Sequence, residues 1–182
     1  MSVEEYIALD RSSEERWEYV DGRAIAMAGA SPRHNAIVMN LTLTLGSALR
    51  GTKCFALGSD QKIEIVATGA FHYPDLSIVC GKPSPSERDS HAIINPLILV
   101  EVASPSTSDY DRGAKFDHYA TIPELREMLV VFTETPRVEH RERSGDGRWI
   151  VTHLVGGEVG LSSIGVTLSI EEIYSDLERV EF

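Results

Sequence analysis

The feature that most constrains this chain is an apolar run near its middle, Leu97–Ala103, in which Glu101 is the one charged residue. A continuous apolar run of this length predicts a central β-strand covered on both faces. An ionised carboxylate in such a strand is costly unless a cation, a proton or a set of hydrogen-bond donors compensates it. The sequence therefore predicts a partner for Glu101.

A second acidic residue, Asp75, stands at the start of another strand-like run, Tyr73–Cys80. If the two strands are neighbours, the two carboxylates converge and repel each other, and a divalent metal removes that repulsion most directly. Mg²⁺ and Mn²⁺ prefer carboxylates, backbone carbonyls and water, so the carbonyl of Val102 is a candidate third ligand. The residues alone leave an alternative open, in which Asp75 caps a strand and Glu101 pairs with a buried Arg or Lys.

Other polar residues are candidates for the same site. Lys115 lies on a predicted helix, where it either forms an exposed ion pair with Asp111 or points back at the Glu101 strand and stabilises an anion or orients water. Tyr119, one turn further on, either packs in the core or contacts the site. Glu18 and His34 are weaker candidates, because a surface Glu and a lone helical His are more often structural.

The order of predicted elements indicates one α/β (α+β) domain over residues 1–182. The run Lys62–Ala67 alternates apolar and charged residues, which predicts one solvated face, and Gly81–Asn95 is a predicted surface loop. Helices are predicted at Val3–Leu9, Glu14–Val20, Arg33–Leu49, Asp109–Ala120 and Ser169–Leu177, and strands at Arg23–Ala28, Cys54–Leu57, Lys62–Ala67, Tyr73–Cys80, Leu97–Ala103, Glu127–Phe132, Arg137–Arg143 and Trp149–Val155.

Composition narrows the function classes. The net charge is −11, from 17 Lys+Arg against 28 Asp+Glu, which disfavours an extended phosphate-binding surface but permits a local basic groove. No apolar run approaches the roughly 20 residues that cross a bilayer, and the N-terminus is acidic, so a cytoplasmic protein is expected. The two cysteines, Cys54 and Cys80, lack paired spacing and are predicted to be buried free thiols.

Several familiar catalytic motifs do not occur. Ser104 is not surrounded by a G-x-S-x-G turn, so it is interpreted as the end of a strand rather than as a nucleophile. The chain has no P-loop and no G-x-G-x-x-G sequence. The remaining histidines lack the spacing of metal ligands: His72, His91, His118, His140 and His153.

With these residues assembled, the chain resembles the Uma-two family of endonucleases, within the PD-(D/E)XK nuclease superfamily. The resemblance covers most of the chain. Its motifs are Trp17–Gly22, Met27, the helix start Ser31–His34, Tyr73–Leu76 as the PD element, Leu99–Thr107 as the E-V-x-S-P-S-T signature, and the spaced Asp111, Lys115 and Tyr119.

The resemblance implies a restriction-endonuclease-like fold with a mixed central β-sheet flanked by helices. It implies a Mg²⁺-type metal on Asp75 and Glu101 and hydrolysis of phosphodiester bonds in DNA by an activated water. The superfamily lysine usually stands two residues after the Glu, where this chain has Ala103, and Lys115 is the candidate that replaces it from the helix. Glu127–Phe132 also departs from the family pattern, because it lacks an aromatic pair and an Asp.

These inferences predict a metal-dependent endonuclease, and a homodimer, since cutting both strands of a duplex commonly uses a two-fold pair of sites. Two alternatives remain. One is an inactive nuclease fold that serves as a binding or regulatory module, which the acidic charge favours. The other is a hydrolase of small phosphoesters, for which fewer phosphates need neutralising.

Overall fold

The computed structural model describes residues 1–105 and 107–180, so Ser106 of the signature motif lies outside the described residues. The described helices are α1 (Val3–Ser12), α2 (Pro32–Ala48), α3 (Ser108–Arg112), α4 (Ala114–Tyr119), α5 (Ile170–Ile173) and a 3₁₀ helix, Leu177–Val180. The strands are β1 (Trp17–Val20), β2 (Arg23–Ala26), β3 (Cys54–Gly58), β4 (Lys62–Ile65), β5 (Ala70–His72), β6 (Leu76–Cys80), β7 (Ala92–Ile93), β8 (Ile98–Ala103), β9 (Glu127–Phe132), β10 (Val138–Arg143), β11 (Trp149–Leu154), β12 (Glu158–Leu161) and β13 (Val166–Ser169).

The predicted central strand is β8, which lies inside a six-stranded sheet of order β11-β10-β9-β8-β6-β3. It pairs parallel with β9 and antiparallel with β6, and all six of its residues are buried. The sheet is therefore mixed, as the resemblance to the family implied. Because β6 is its direct neighbour, the residue that precedes β6 lies beside the end of β8.

The two faces of this sheet are covered differently. On one face α2 buries Ile37, Leu41 and Leu45 against side chains of β6, β8 and β9. The N-terminus of α2 is capped, since Ser31 accepts a hydrogen bond from the His34 N–H and Pro32 occupies the first turn. On the other face, α4 and the second sheet, of order β2-β1-β5-β4-β7, share a hydrophobic cluster with β8 and β9.

The prediction of a helix at Glu14–Val20 is wrong, because its second half is strand β1. Asp21 and Gly22 both have positive φ, 49° and 78°, which is the turn geometry that joins two antiparallel strands. Trp17–Val20 consequently pairs with Arg23–Ala26. An Asp-Gly pair favours such a turn, and the turn sets the conformation of the residues on both sides of it.

The predicted solvated face of Lys62–Ala67 is also wrong. Lys62 and Glu64 are both buried, at 2% exposure each. Lys62 pairs with Asp10 of α1 and with Asp89 of the predicted loop 81–95, while Glu64 accepts a hydrogen bond from Ser86. Buried charges of this kind are tolerated because each has a partner. The loop thereby contributes β7 and a buried carboxylate.

The prediction of free thiols is wrong as well, since Cys54 and Cys80 form a disulfide. The two residues face each other in the register of β3 and β6, with Cα atoms 3.9 Å apart. The two cysteines are 26 residues apart along the chain, so no local sequence pattern predicts that they pair. The disulfide links the outermost strand of the six-stranded sheet to its neighbour.

Three further differences concern helices and strands. The predicted helix Asp109–Ala120 is interrupted at Gly113, and the predicted helix Ser169–Leu177 is shortened to α5, with a 3₁₀ helix after it. The ribbon of β12 and β13 was not predicted. Among the described residues, no helix is both long and apolar enough to cross a membrane.

Candidate active site

The two predicted acids lie side by side at the ends of neighbouring strands. Asp75 immediately precedes β6, and its Oδ2 accepts a hydrogen bond from the Val102 N–H at 2.7 Å. The register of the pair, Leu76 opposite Val100, places Asp75 beside Glu101. The structure thus brings together the carboxylate pair and the backbone of Val102, which sequence analysis proposed as one site.

Lys115 lies at the centre of the acidic side chains. Its Nζ is 2.9 Å from Glu101 Oε1, 3.0 Å from Glu18 Oε1 and 3.9 Å from Asp111 Oδ1. The Tyr119 hydroxyl donates a hydrogen bond to Glu101 Oε1 at 2.8 Å. The pairing of Lys115 with Asp111 exists but is buried, so the alternative of an exposed ion pair is wrong.

The local backbone explains how Lys115 reaches β8. Gly113 leaves the helical conformation, with φ −101° and ψ −106°, and separates α3 from α4. A Cβ at this position would lie 2.9 Å from the Asp109 carbonyl oxygen, so only glycine fits without a shift of the backbone. The break lets α4 direct both Lys115 and Tyr119 at Glu101.

Glu18 is fixed by the N-terminal hairpin. It lies on β1, is 7% exposed, and its Oε1 accepts a hydrogen bond from the Tyr73 N–H at 3.2 Å. Its Oε2 lies 3.2 Å from His72 Nδ1. Glu18 therefore contacts the segment that leads to Asp75 as well as Lys115, and it belongs to the same cluster.

His34 projects from the first turn of α2 towards Asp75. Its Nε2 lies 3.3 Å from Asp75 Oδ2. Burial lowers the pKa of His34, but hydrogen bonding to Asp75, the charge of Asp75 and the backbone of Val102 outweigh it and raise the pKa. The imidazole thus contacts Asp75, one of the residues that sequence analysis named as metal ligands.

The cluster contains more carboxylate than ammonium. Burial raises the pKa of Glu101 to about 8, and the charges of Asp111, Asp75 and Glu18 add to this against the opposing effect of Lys115. Burial also disfavours charge on Lys115, but Glu101, Glu18 and Asp111 raise its pKa, so Lys115 keeps its proton. Glu18 remains ionised, because Lys115 and His72 overcome burial and lower its pKa to about 2.

These residues fit a hard divalent cation held partly by water. Glu101 Oε2 and Asp75 Oδ1 accept no hydrogen bond from the part of the chain that the structure describes, and the excess of carboxylates calls for positive charge. The same part of the chain contains no group of three His, Cys, Asp or Glu side chains arranged as a ready metal site. Mg²⁺ commonly binds through one or two carboxylates and several waters, so two carboxylates and a carbonyl suffice.

Two residues of the cluster were not among the predicted site residues. His72 is fully buried beside Glu18, and Tyr119 packs against its ring with centroids 5.3 Å apart. Asp111 lies within the electrostatic reach of Glu101 and Asp75. The sequence offered a signal only for Asp111, which shares its helical spacing with Lys115, since the position of His72 depends on the pairing of β5 with β1 and β4.

Comparison with known protein structures agrees with this fold. The crystal structure of a putative nuclease belonging to DUF820 from Anabaena variabilis superposes with a TM-score of 0.79, covering 97% of this chain and 99% of that chain at 17% sequence identity. That similarity establishes the fold, a mixed α+β architecture shared with a nuclease-like structure.

The family follows from sequence. The model of the Uma2 family, described as putative restriction endonuclease, matches residues 3–171, and the chain belongs to this family. Two uncharacterized proteins of Synechocystis sp. are relatives. One, slr1290, is 36% identical over 179 residues, 97% of this chain and 93% of its own length. The other, sll1609, is 31% identical over 156 residues, 86% of this chain and 88% of its own length.

Proposed function

We propose that this protein is a metal-dependent endonuclease that hydrolyses phosphodiester bonds in DNA. The observation that carries the proposal is the meeting of Asp75, Glu101, Lys115 and Val102 at the ends of β6 and β8. Family membership and the nuclease-like fold support the broader class, and the excess of carboxylates supports a cation.

Asp75, Glu101 and the carbonyl of Val102 would hold Mg²⁺ or Mn²⁺ through the free carboxylate oxygens and retained waters. A cation at this position supplies a lowered pKa of bound water and neutralises charge on a phosphoryl group. The protein contributes the geometry, since Asp75 is oriented by the Val102 N–H and Glu101 by Tyr119 and Lys115.

Lys115 has the role of a fixed cation in this proposal. Three carboxylates surround its ammonium, which favours the protonated form. An ammonium beside the metal ligands stabilises the negative charge that develops on the phosphoryl oxygens. Glu18 positions Lys115, and His72 contacts Glu18 in turn. His34, on α2, contacts Asp75.

The experiment is cleavage of circular plasmid and of single-stranded DNA by the purified protein with Mg²⁺, with Mn²⁺ and with EDTA. We expect cleavage with either ion, none with EDTA, and loss of cleavage in Asp75→Ala and Glu101→Ala. Cleavage that persists in both variants, or a wild-type protein that cuts nothing, would reject the proposal.

The net charge of −11 supports a second candidate substrate class, small phosphoesters. A substrate with a single phosphate loses less affinity from a negative surface than a long polyanion does. A panel of small phosphomonoesters and phosphodiesters assayed beside DNA separates the two, since hydrolysis of the panel without DNA cleavage would favour this candidate.

A further inference from the structure

A cleft of about 190 Å³ lies at the carboxyl ends of the parallel strands β8 and β9. Its wall includes Ala103 and Phe132, which are partners in the strand register, and Ser108 at the start of α3. The segment that follows β9 closes the other side with Thr133, Glu134, Thr135 and Arg137. The cleft is separate from the carboxylate cluster but shares its strand.

Arg137 is the cation of this cleft. Its guanidinium lies over the Phe132 ring, with Cζ 3.7 Å from the ring centroid. Its Nε is buried without a hydrogen-bond partner, and no carboxylate of the described residues forms an ion pair with it. A buried guanidinium N–H without an acceptor is uncommon in native structures and calls for a ligand or a water.

Arg137 differs from three other arginines, each of which donates a hydrogen bond to a carboxylate or a backbone carbonyl. Arg112 donates to Glu139 Oε2 at 2.7 Å, and Arg141 pairs with the same carboxylate. Arg33 donates from Nε to the Thr133 carbonyl at 2.5 Å, so its charge also lies at this end of β9. Arg33 and Arg137 thus both lie at the carboxyl end of β9, and the Arg112 Cζ lies 5.9 Å from the centroid of the Phe132 ring.

The position of the cleft relates it to the catalytic cluster. Ala103 is two residues beyond Glu101 on β8, and two strand residues span about 7 Å. The side chains of residues two apart point to the same face of a sheet. Ala103, which lines the cleft, thus lies about 7 Å from Glu101 along β8 and on the same face of the sheet.

We propose that this cleft binds a backbone phosphate of the polynucleotide substrate adjacent to the phosphate that is cleaved, with Arg137 as its main ligand. A guanidinium presents a planar fork of N–H donors that matches phosphate oxygens, and the stacking on Phe132 holds that fork in place. Ser108 lies in the same wall, and its side chain offers a further hydrogen-bond donor type for a phosphate. This inference rests on the proposed nuclease function.

Glu134 provides an internal contrast within the cleft. Its carboxylate is exposed and lies at the rim, with Oε1 3.4 Å from Thr133 Oγ1. A negative charge at this position opposes an incoming phosphate. Removal of the Glu134 charge should therefore strengthen binding, whereas removal of the Arg137 charge should weaken it.

The test measures binding without cleavage, by fluorescence anisotropy of short labelled DNA and RNA strands and of a DNA duplex, with Ca²⁺ in place of Mg²⁺. We expect Arg137→Gln to weaken binding on the order of tenfold and to reduce the slope of log affinity against log salt by about one. Arg137→Lys should lose only part of the binding affinity, because lysine keeps the positive charge but lacks the planar fork of N–H donors. Glu134→Gln should tighten binding by about twofold.

The matched control is Arg148→Gln, at the opposite end of β10 from Arg137. Arg148 is 84% exposed and pairs with Asp146 in the β10–β11 turn, so its loss should leave affinity and salt slope unchanged. Thermal unfolding of each variant verifies that it is folded. DNA strands with one uncharged methylphosphonate at a single backbone position then identify the phosphate that Arg137 binds. At that position the methylphosphonate should weaken binding to the wild type but should not weaken binding to Arg137→Gln.

The outcomes separate this inference from the proposed function. Equal affinity and equal salt slope for wild type, Arg137→Gln and Glu134→Gln would overturn the phosphate site even if Asp75 and Glu101 prove necessary for cleavage. Absence of any binding by the wild type would overturn it too. Weakened binding in Arg137→Gln would support the phosphate site. If cleavage is at the same time unaffected by Asp75→Ala, the proposed nuclease centre is rejected. DNA and RNA compared in parallel show which backbone is preferred.

Discussion

Two buried lysines in this protein occupy clusters of opposite design. Lys62 pairs with Asp10 and Asp89, and Arg11 provides a second cation on Asp89 at 2.7 Å, so two cations meet two carboxylates. Of the described residues, Lys115 is the one that brings an ammonium to Glu18, Glu101 and Asp111. In the first cluster the numbers of cations and carboxylates are equal, whereas the second cluster has more carboxylates than cations.

The comparison teaches that burial of charge alone does not identify a functional site. Both lysines are nearly inaccessible, and the Lys62 ammonium even lies 5.3 Å from the centroid of the Tyr6 ring. Only the charge balance distinguishes them. Tyr73 connects the two clusters, because its N–H donates to Glu18 and its hydroxyl donates to Asp10 at 2.7 Å.

The largest expected effect comes from neutralising one carboxylate in each cluster. Glu101→Gln should reduce DNA cleavage by about 10³-fold, because it removes a ligand of the metal site, yet leave the free energy of unfolding unchanged or higher. Asp89→Asn should do the reverse, with stability lower by about 3 kcal/mol and activity per folded molecule intact. Cleavage rates and urea unfolding measure both, and equal stability losses would contradict the contrast.

Replacing each lysine by methionine sharpens the comparison. Lys115→Met and Lys62→Met should each lower the free energy of unfolding by about 3–5 kcal/mol, because both leave buried carboxylates without a cation. Added Mn²⁺ should restore part of the stability of Lys115→Met only, since only that cluster includes the proposed metal ligands. Thermal unfolding with and without Mn²⁺ checks this, and equal rescue of both variants would show that the two clusters are alike.

The disulfide lies outside both clusters and tests whether stability alone alters activity. Cys54→Ser with Cys80→Ser should reduce the free energy of unfolding by about 3 kcal/mol, as expected for a loop of 26 residues. Metal binding and the cleavage rate of the folded enzyme should not change. A parallel loss of metal binding would mean that β6, which follows Asp75, depends on the disulfide for its position.

Acid should weaken the balanced cluster in a defined pH range. Burial raises the pKa of Asp89, but hydrogen bonds from Lys62, Arg11 and the His91 N–H outweigh it and lower the pKa to about 2. The pKa of an unfolded Asp is about 3.9, so the stabilisation is present above that pH. It is lost as the pH falls towards 2, by about 2 kcal/mol in total. Urea unfolding from pH 6 to pH 2 should show this loss in wild type and a smaller one in Asp89→Asn.

Much of the candidate site was predictable because its strongest signals are local. Two strands are indicated by one Glu inside an apolar run and by one Asp at the start of another run. A helix is indicated by the spacing of Asp111, Lys115 and Tyr119. The structure brings these residues together as the resemblance to the family implied. Their chemical roles remain predictions.

The parts that sequence analysis missed depend on distant partners. Glu18 was named as a candidate site residue but was placed in a predicted helix, whereas it lies on β1, whose pairing with β2 and β5 brings it to Lys115. The burial of Lys62 depends on Asp10 and Asp89, which lie in α1 and in a predicted loop. The disulfide likewise depends on strand register rather than on cysteine spacing.

The central claim is that Asp75 and Glu101 share a divalent cation. Titration of Mn²⁺ into the protein, followed by electron paramagnetic resonance of the free ion, measures this directly. We predict one bound Mn²⁺ per chain in wild type and in Asp89→Asn, and none in Asp75→Asn or Glu101→Gln. A wild-type protein that binds no Mn²⁺, or four proteins that bind it equally, would contradict the account.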